Sequence, residues 1–186
     1  YACHPTALAW ENRLVSPDFI GEMRSTVEQA GAGLALFLQG ASGELAPRYQ
    51  YVSDPAVADA HGRELGHAAL ATLHAMEPPG QRLAFDRVVE SGAPLAVWRR
   101  EPRPATPAIQ SLAAIRRWRI GEAILLGTLA ESYSSIQADV RAAFPDRAVA
   151  WLNVVNGWVG YLPPARLYDA DIYQVWQTPF DRGSLE

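Results

Sequence analysis

The chain has 186 residues, 49% of them apolar and 19% charged, so it can bury a core without disulfide or metal staples and is too apolar for a disordered segment. Sixteen basic against twenty acidic residues leave a formal net charge of -4, which argues against a phosphate-binding nucleic-acid surface. All sixteen are arginine, which excludes a Schiff-base or P-loop lysine; the single Cys3 excludes an intrachain disulfide, and no apolar run approaches the length of about 18 residues that spans a membrane.

The sequence opens Tyr1-Ala2-Cys3-His4-Pro5, with neither an initiator methionine nor a signal peptide, which predicts a chain truncated at its N-terminus. Pro5 pushes the preceding residue out of the helical region, so 1–4 are expected to be a strand ending at His4. Ser16-Pro17-Asp18 supplies a helix cap with Glu22 in the first turn, predicting a helix over 18–30 that stops at Gly31. Leu34 to Leu38 is a continuous apolar run, the signature of a strand covered on both faces. The small-residue loop Gln39-Gly40-Ala41-Ser42-Gly43-Glu44 follows. A second helix is predicted over 54–75, with Val57, Leu65, Ala69, Leu73 and Met76 as its apolar stripe, ended by Pro78-Pro79-Gly80.

Strand-like stretches within 82–98 precede a proline-rich excursion over 99–108. Residues 112–130 read as two strands turning at Ile120-Gly121-Glu122, the second nearly all apolar. A third helix is expected over 132–143 and a last strand over 149–155, followed by the aromatic and glycine loop from Asn156 to Tyr161. Apolar strands alternating with amphipathic helices predict one α/β domain over 1–186, a mixed sheet flanked by helices.

Polar residues fall where apolar strands end, which is where α/β sheets place their ligand sites. His4 follows the first, the Gly40-Ala41-Ser42-Gly43 loop the second, Glu131 the hairpin and Tyr161 the last. The spacings among His61, His67 and His74 do not give the i, i+3 or i, i+4 pair of a helical metal site. The loop departs from the Gly-x-Ser-x-Gly nucleophile elbow because residue 44 is Glu, and a backbone cradle for an anion is the competing reading. Glu131, after an apolar strand, needs a cation or strong donors to stay ionised, or else serves as a helix N-terminal carboxylate. Tyr161 and Tyr173 are site candidates or simple aromatic packing.

Five segments in order, Tyr1-Ala-Cys-His4-Pro-Thr, Ser16-Pro-Asp18-Phe-Ile-Gly21, Phe37-Leu-Gln-Gly-Ala-Ser-Gly-Glu-Leu-Ala-Pro47, Gly127-Thr-Leu-Ala-Glu131 and Gly160-Tyr161 through Tyr168 to Tyr173, resemble the neutral/alkaline non-lysosomal ceramidases and their bacterial relatives. The resemblance extends over nearly the whole chain, as the second half of that family's catalytic domain. It implies a zinc amidase that cleaves the N-acyl bond of a ceramide-like lipid to a sphingoid base and a fatty acid with metal-activated water. It further implies a zinc site at the carboxyl ends of strands and an upstream half of the same polypeptide carrying one more zinc histidine. Residue by residue, it assigns His4, Glu131 and Tyr161 as zinc ligands, Tyr173 as a donor near the scissile amide, and Asp18 with the Gly40–Gly43 loop to the substrate side.

The chain departs from the family pattern at Ala46 and Arg48, where a serine and an asparagine are expected, and around Glu131, where Thr128-Leu129-Ala130 and Ser132-Tyr133 flank the glutamate. Substrates other than ceramide therefore remain open. Two alternatives stand beside the zinc reading: a serine hydrolase using Ser42 with His4 and Asp18, and a non-catalytic lipid- or glycan-binding module using Trp158 and Trp176. The sequence gives no compartment.

Overall fold

A computed structural model describes residues 1–76 and 115–185. The elements expected at 78–80, 82–98 and 99–108, and the start of the hairpin at 112, lie outside the described residues. Two compact units divide the chain: one takes Tyr1–Ala2, Gln39–Leu45 and the described residues 115–185, the other Cys3–Leu38 and the described residues 46–76.

In the second unit Asp18 starts helix α1 (Phe19–Val27) as expected: its carboxylate accepts from the backbone N–H of Phe19 at 2.7 Å, Leu8 at 2.9 Å and Ala7 at 3.3 Å. The helix buries Phe19 and Met23, runs on through a π-helical turn over Glu28–Ala32, and breaks at Gly31 with φ of 82°. Helix α2 (Pro55–Ala75) starts with the Asp54 side chain accepting from the Ala56 N–H at 2.9 Å and with proline at its first position, where no intrahelical N–H is needed.

The face that α2 buries is Ala58, Gly62 and Gly66, not the expected stripe, whose Leu73 and Met76 are exposed. Small residues at i, i+4 and i+8 let two helix backbones approach closely. A Cβ on Gly62 would lie 2.5 Å from the Phe19 carbonyl oxygen, and one on Gly66 would lie 2.7 Å from Thr26 Cβ. Leu34 to Leu38 is likewise corrected: it forms no strand, and Leu34, Leu36 and Leu38 are exposed while Ala35 and Phe37 are half-buried. The alternation is there, but every position on both faces is apolar, so composition concealed it.

The first unit is built on a mixed three-stranded sheet whose central strand, Ala123–Gly127, lies between Arg116–Ile120 and Val149–Leu152. Strands β1 (Arg116–Ile120) and β2 (Ala123–Gly127) form the expected antiparallel hairpin, turning at Gly121-Glu122. After β2 the chain makes a short strand β3 (Glu131–Ser132), then helix α3 (Ser135–Ala143), and returns as β4 (Val149–Leu152) parallel to β2. Gln137 docks the helix on β4, accepting from the Trp151 N–H at 2.7 Å and donating to the Val149 carbonyl at 3.3 Å. Strand β5 (Tyr161–Leu162) pairs in parallel with β3; a 3-10 turn over Ala165–Leu167 and the short helix α4 (Tyr173–Trp176) follow.

Two expected boundaries move. The third helix starts at Ser135 rather than 132 because Glu131 and Ser132 are taken up by the ladder to β5. The last strand ends at Leu152 because Val154 and Asn156 adopt φ of 56° and 62°. Residues 1–4 form no strand, although the Tyr1 carbonyl accepts from the Gly40 N–H at 2.8 Å. The α/β class with a mixed sheet and flanking helices holds. No helix among the described residues is long and apolar enough to cross a membrane.

The helix contact in the second unit is open to test. Gly62→Ala gains about 1 kcal/mol of helix propensity but forces a methyl against the Phe19 carbonyl, an overpacking that costs about 1–3 kcal/mol. Net destabilisation in urea unfolding is expected; a net gain would mean that the two helices do not approach this closely.

Candidate functional site

Glu131 leaves a fully buried stretch, Thr128-Leu129-Ala130, and is itself half-buried. The strand β3 that holds it is only two residues long, yet fixed from several sides. Its N–H donates to the Gly160 carbonyl at 3.0 Å, and the Tyr133 N–H donates to the Leu162 carbonyl at 3.3 Å. The ladder pairs Glu131 directly with Tyr161 and Ser132 with Leu162. In a parallel ladder, residues paired in register project from the same face. Glu131 and Tyr161, two of the residues singled out in the sequence, are therefore neighbours on one sheet face.

Tyr173 joins them. Its ring meets that of Tyr161 edge-on, with centroids 5.7 Å apart and planes at 74°, a favoured aromatic geometry. Gly160, with φ of 99°, makes this approach possible: a Cβ there would lie 2.6 Å from the Gln177 carbonyl oxygen, just past α4. Only glycine combines that backbone conformation with that closeness. Tyr173 is 54% exposed, so the mouth of the group is open to solvent.

The small-residue loop underpins the same strand. Gly43 donates its N–H to the Ser132 carbonyl at 2.9 Å, and a Cβ on Gly43 would lie 2.7 Å from the Glu131 carbonyl oxygen. The Gly43 carbonyl in turn accepts from Gln174 Nε2 at 3.4 Å. Gly40, Ala41, Ser42 and Gly43 are all buried, and Ser42 Oγ accepts from Gln39 Nε2. The Gly40 and Gly43 amides are thus spent on the Tyr1 and Ser132 carbonyls. Glu44 reaches Ser134, its carboxylate accepting from the backbone N–H at 2.9 Å and from the hydroxyl, which satisfies the N-terminus of α3 from a residue ninety positions away. Desolvation, then the Glu44 charge, push the neighbouring Tyr133 phenol above its ordinary range.

Three contributors were not singled out as site residues in the sequence, and a fourth, Trp158, stood there only in the binding-module alternative. The indole N–H of Trp158 donates to Glu131 Oε1. Asn153, buried past the end of β4, donates Nδ2 to the Ser132 carbonyl at 2.9 Å. Gln174 and Glu44 complete the support described above. Asn153 fell inside the strand expected over 149–155; the others depend on pairings across the chain that no local pattern encodes.

Asp18 and His4 belong to the second unit. Asp18 is buried and engaged with three backbone N–H groups at the head of α1. His4 is half-buried, and its carbonyl accepts from the Cys3 thiol at 3.5 Å. Burial, then the charge of Asp18, push that thiol from 9.0 to about 11. Among the described residues, no three His, Cys, Asp or Glu side chains gather as a metal site. Glu131 and Tyr161 place a carboxylate and a phenol at paired positions of one sheet face, and such oxygen donors are chemically apt for a divalent cation, zinc included.

No protein-family model matches the sequence, and no curated protein matches it. Among solved structures, the chain is similar over its whole length to neutral ceramidase from Pseudomonas aeruginosa, with a TM-score of 0.64 and 17% identity, and covers 41% of that chain. It is similar over its whole length to a ceramidase complexed with C2 as well, with a TM-score of 0.65 and 16% identity, and covers 42% of that chain. The likeness shows a ceramidase-like fold, and this chain spans about two fifths of the length of those proteins.

Two outcomes follow from the local geometry in the second unit. Asp18→Ala should cost about 2 kcal/mol or more in urea unfolding, because it removes a charged acceptor from three N–H groups and leaves alanine at φ of 55°; Asp18→Asn, which keeps one acceptor oxygen, should cost less. With its pKa raised from 9.0 to about 11, Cys3 has roughly a hundredfold less thiolate at pH 8 than an ordinary cysteine, so Ellman's reagent should label it readily only in denaturant.

Proposed function

We propose that this chain carries part of the active site of a zinc-dependent amidohydrolase that cleaves the N-acyl bond of a ceramide-like substrate. The observation that carries the reading is the in-register pairing of Glu131 with Tyr161, with Tyr173 packed edge-on against Tyr161 at 5.7 Å. The ceramidase-like fold and the sequence resemblance support it from independent directions.

In this reading Glu131 and Tyr161 hold the metal through their oxygens. His4 and a histidine upstream of Tyr1 are the further ligands that the family resemblance implies, and the ladder of the first unit supports the Glu131–Tyr161 part of the set. When bound, zinc supplies a Lewis acid for the amide carbonyl and lowers the pKa of a water to about 7.

The remaining work falls to side chains of the chain itself. Trp158 donates to Glu131 Oε1 and so fixes the direction of the carboxylate. Tyr173, exposed at the mouth, presents a phenolic O–H that can donate to the oxyanion developing on the amide oxygen. The exposed rings of Trp158, Tyr173 and Trp176 offer apolar surface for the hydrocarbon of an N-acyl lipid.

Zinc content by elemental mass spectrometry, read beside turnover of an N-acyl sphingoid substrate, tests the proposal. Zinc uptake near one equivalent is expected, falling at least tenfold in Glu131→Gln. Tyr173→Phe should retain zinc and lose about 10²–10³ in kcat. No zinc in this chain and none in a folded longer polypeptide that includes the upstream histidine would overturn the reading, and lipid binding without zinc or turnover would favour the binding module instead.

A further inference from the structure

Away from the Glu131 face, the first unit contains a cavity of 430 Å³. It lies where β2 and β4 begin, at their first register pair, Ile124 with Val149, whereas Glu131 and Tyr161 follow the opposite ends of these strands. Ile124, Leu125 and Val149 line it together with Phe144, and the volume falls within the range of about 300–1,000 Å³ typical of small-molecule sites. The apolar character is continuous: Ile124 and Val149 are buried, and Phe144 is a large aromatic ring left 43% exposed.

Two cations interrupt it. Arg141, in the last turn of α3, and Arg147, in the turn leading into β4, both line the cavity. Neither forms an ion pair among the described residues, unlike Arg24 with Glu28, Arg63 with Glu22 and Arg182 with Asp169. The helix dipole accounts for a cation at position 141 but not for one at 147, beyond the helix end. Asp146, adjacent in sequence to Arg147, is exposed and is not among the residues lining the cavity. An apolar floor flanked by two arginines without anionic partners is complementary to a molecule with an apolar body and one anionic head, and a guanidinium engages a carboxylate through two parallel hydrogen bonds.

We infer that this cavity is a binding site for a small anionic amphiphile, a single medium-chain carboxylate, with the carboxylate held by Arg141 and Arg147 and the chain laid on Ile124, Val149 and Phe144. The site is separate from the Glu131–Tyr161–Tyr173 group and requires no metal, so it stands or falls apart from the proposed hydrolase activity.

Decanoate is the probe, titrated below its micelle concentration into the 186-residue chain by calorimetry, with decanol and decyltrimethylammonium as the neutral and cationic counterparts. Saturable binding of decanoate with one-to-one stoichiometry is expected, with both counterparts at least about tenfold weaker. The double variant Arg141→Gln/Arg147→Gln, at two exposed positions and checked for an unchanged melting temperature, should weaken decanoate about tenfold or more and leave decanol unaffected. Should the double variant fail to fold, amide chemical shifts in the wild-type chain decide in its place: they should move at Ile124, Phe144 and Val149 upon addition of decanoate. Equal affinity for decanoate and decanol, undiminished binding by the variant, or shifts confined to other residues would each overturn the proposal.

Discussion

The two-residue parallel ladder between Glu131–Ser132 and Tyr161–Leu162 is the constraint around which the first unit is arranged. A ladder this short has little stability of its own. It is held because its surroundings are saturated: Gly43 closes on the Ser132 carbonyl, the Asn153 amide donates to that same oxygen, and Ala130 and Leu162 pack with Phe180 in a buried cluster. Two donors converging on one carbonyl satisfy both of its lone pairs, so the backbone beside Glu131 has little freedom to turn.

The candidate site inherits its order from that ladder. Register alone sets Glu131 beside Tyr161, and the close approach at Gly160 sets Tyr173 against Tyr161. The backbone of the ladder is held by backbone interactions and by the Asn153 side chain bonded to backbone, whereas the Glu131 carboxylate and the Tyr161 ring are set by side-chain contacts with Trp158 and Tyr173. The glycines at 43 and 160 serve this purpose: each stands where a methyl group would strike a carbonyl oxygen.

Much of this fold was legible in the sequence, and the limits have a physical pattern. Asp18 as a cap, α2 after Asp54-Pro55 and the turn at Gly121-Glu122 were all readable, because caps and turns are decided within a few residues. Strands β3 and β5 were not, since a period of two cannot be detected in two residues. Leu34 to Leu38 misled because apolar residues stand on both its exposed and its half-buried positions. The contact face of α2 misled in the opposite sense, being made of alanine and glycine, whose small side chains are a weak hydrophobic signal and a strong steric one. Glu131, Tyr161 and Tyr173 were individually legible as residues of interest; Trp158, Glu44 and Gln174 act through pairings that span tens of residues.

Those long spans bear on how the unit comes together. Glu44 reaches Ser134 across 90 positions, and Gln174 reaches Gly43 across 131. Contacts so far apart in sequence carry a large loop-closure entropy and are made after local structure has formed, since that entropy must be met before the contact returns anything. The hairpin and α3 can form early from neighbouring residues, whereas the backing of Glu131 closes only when the beginning and the end of the chain have met. The carboxylate is therefore among the last groups to be fixed in place, and a chain that has acquired its helices and hairpin need not yet have acquired its site.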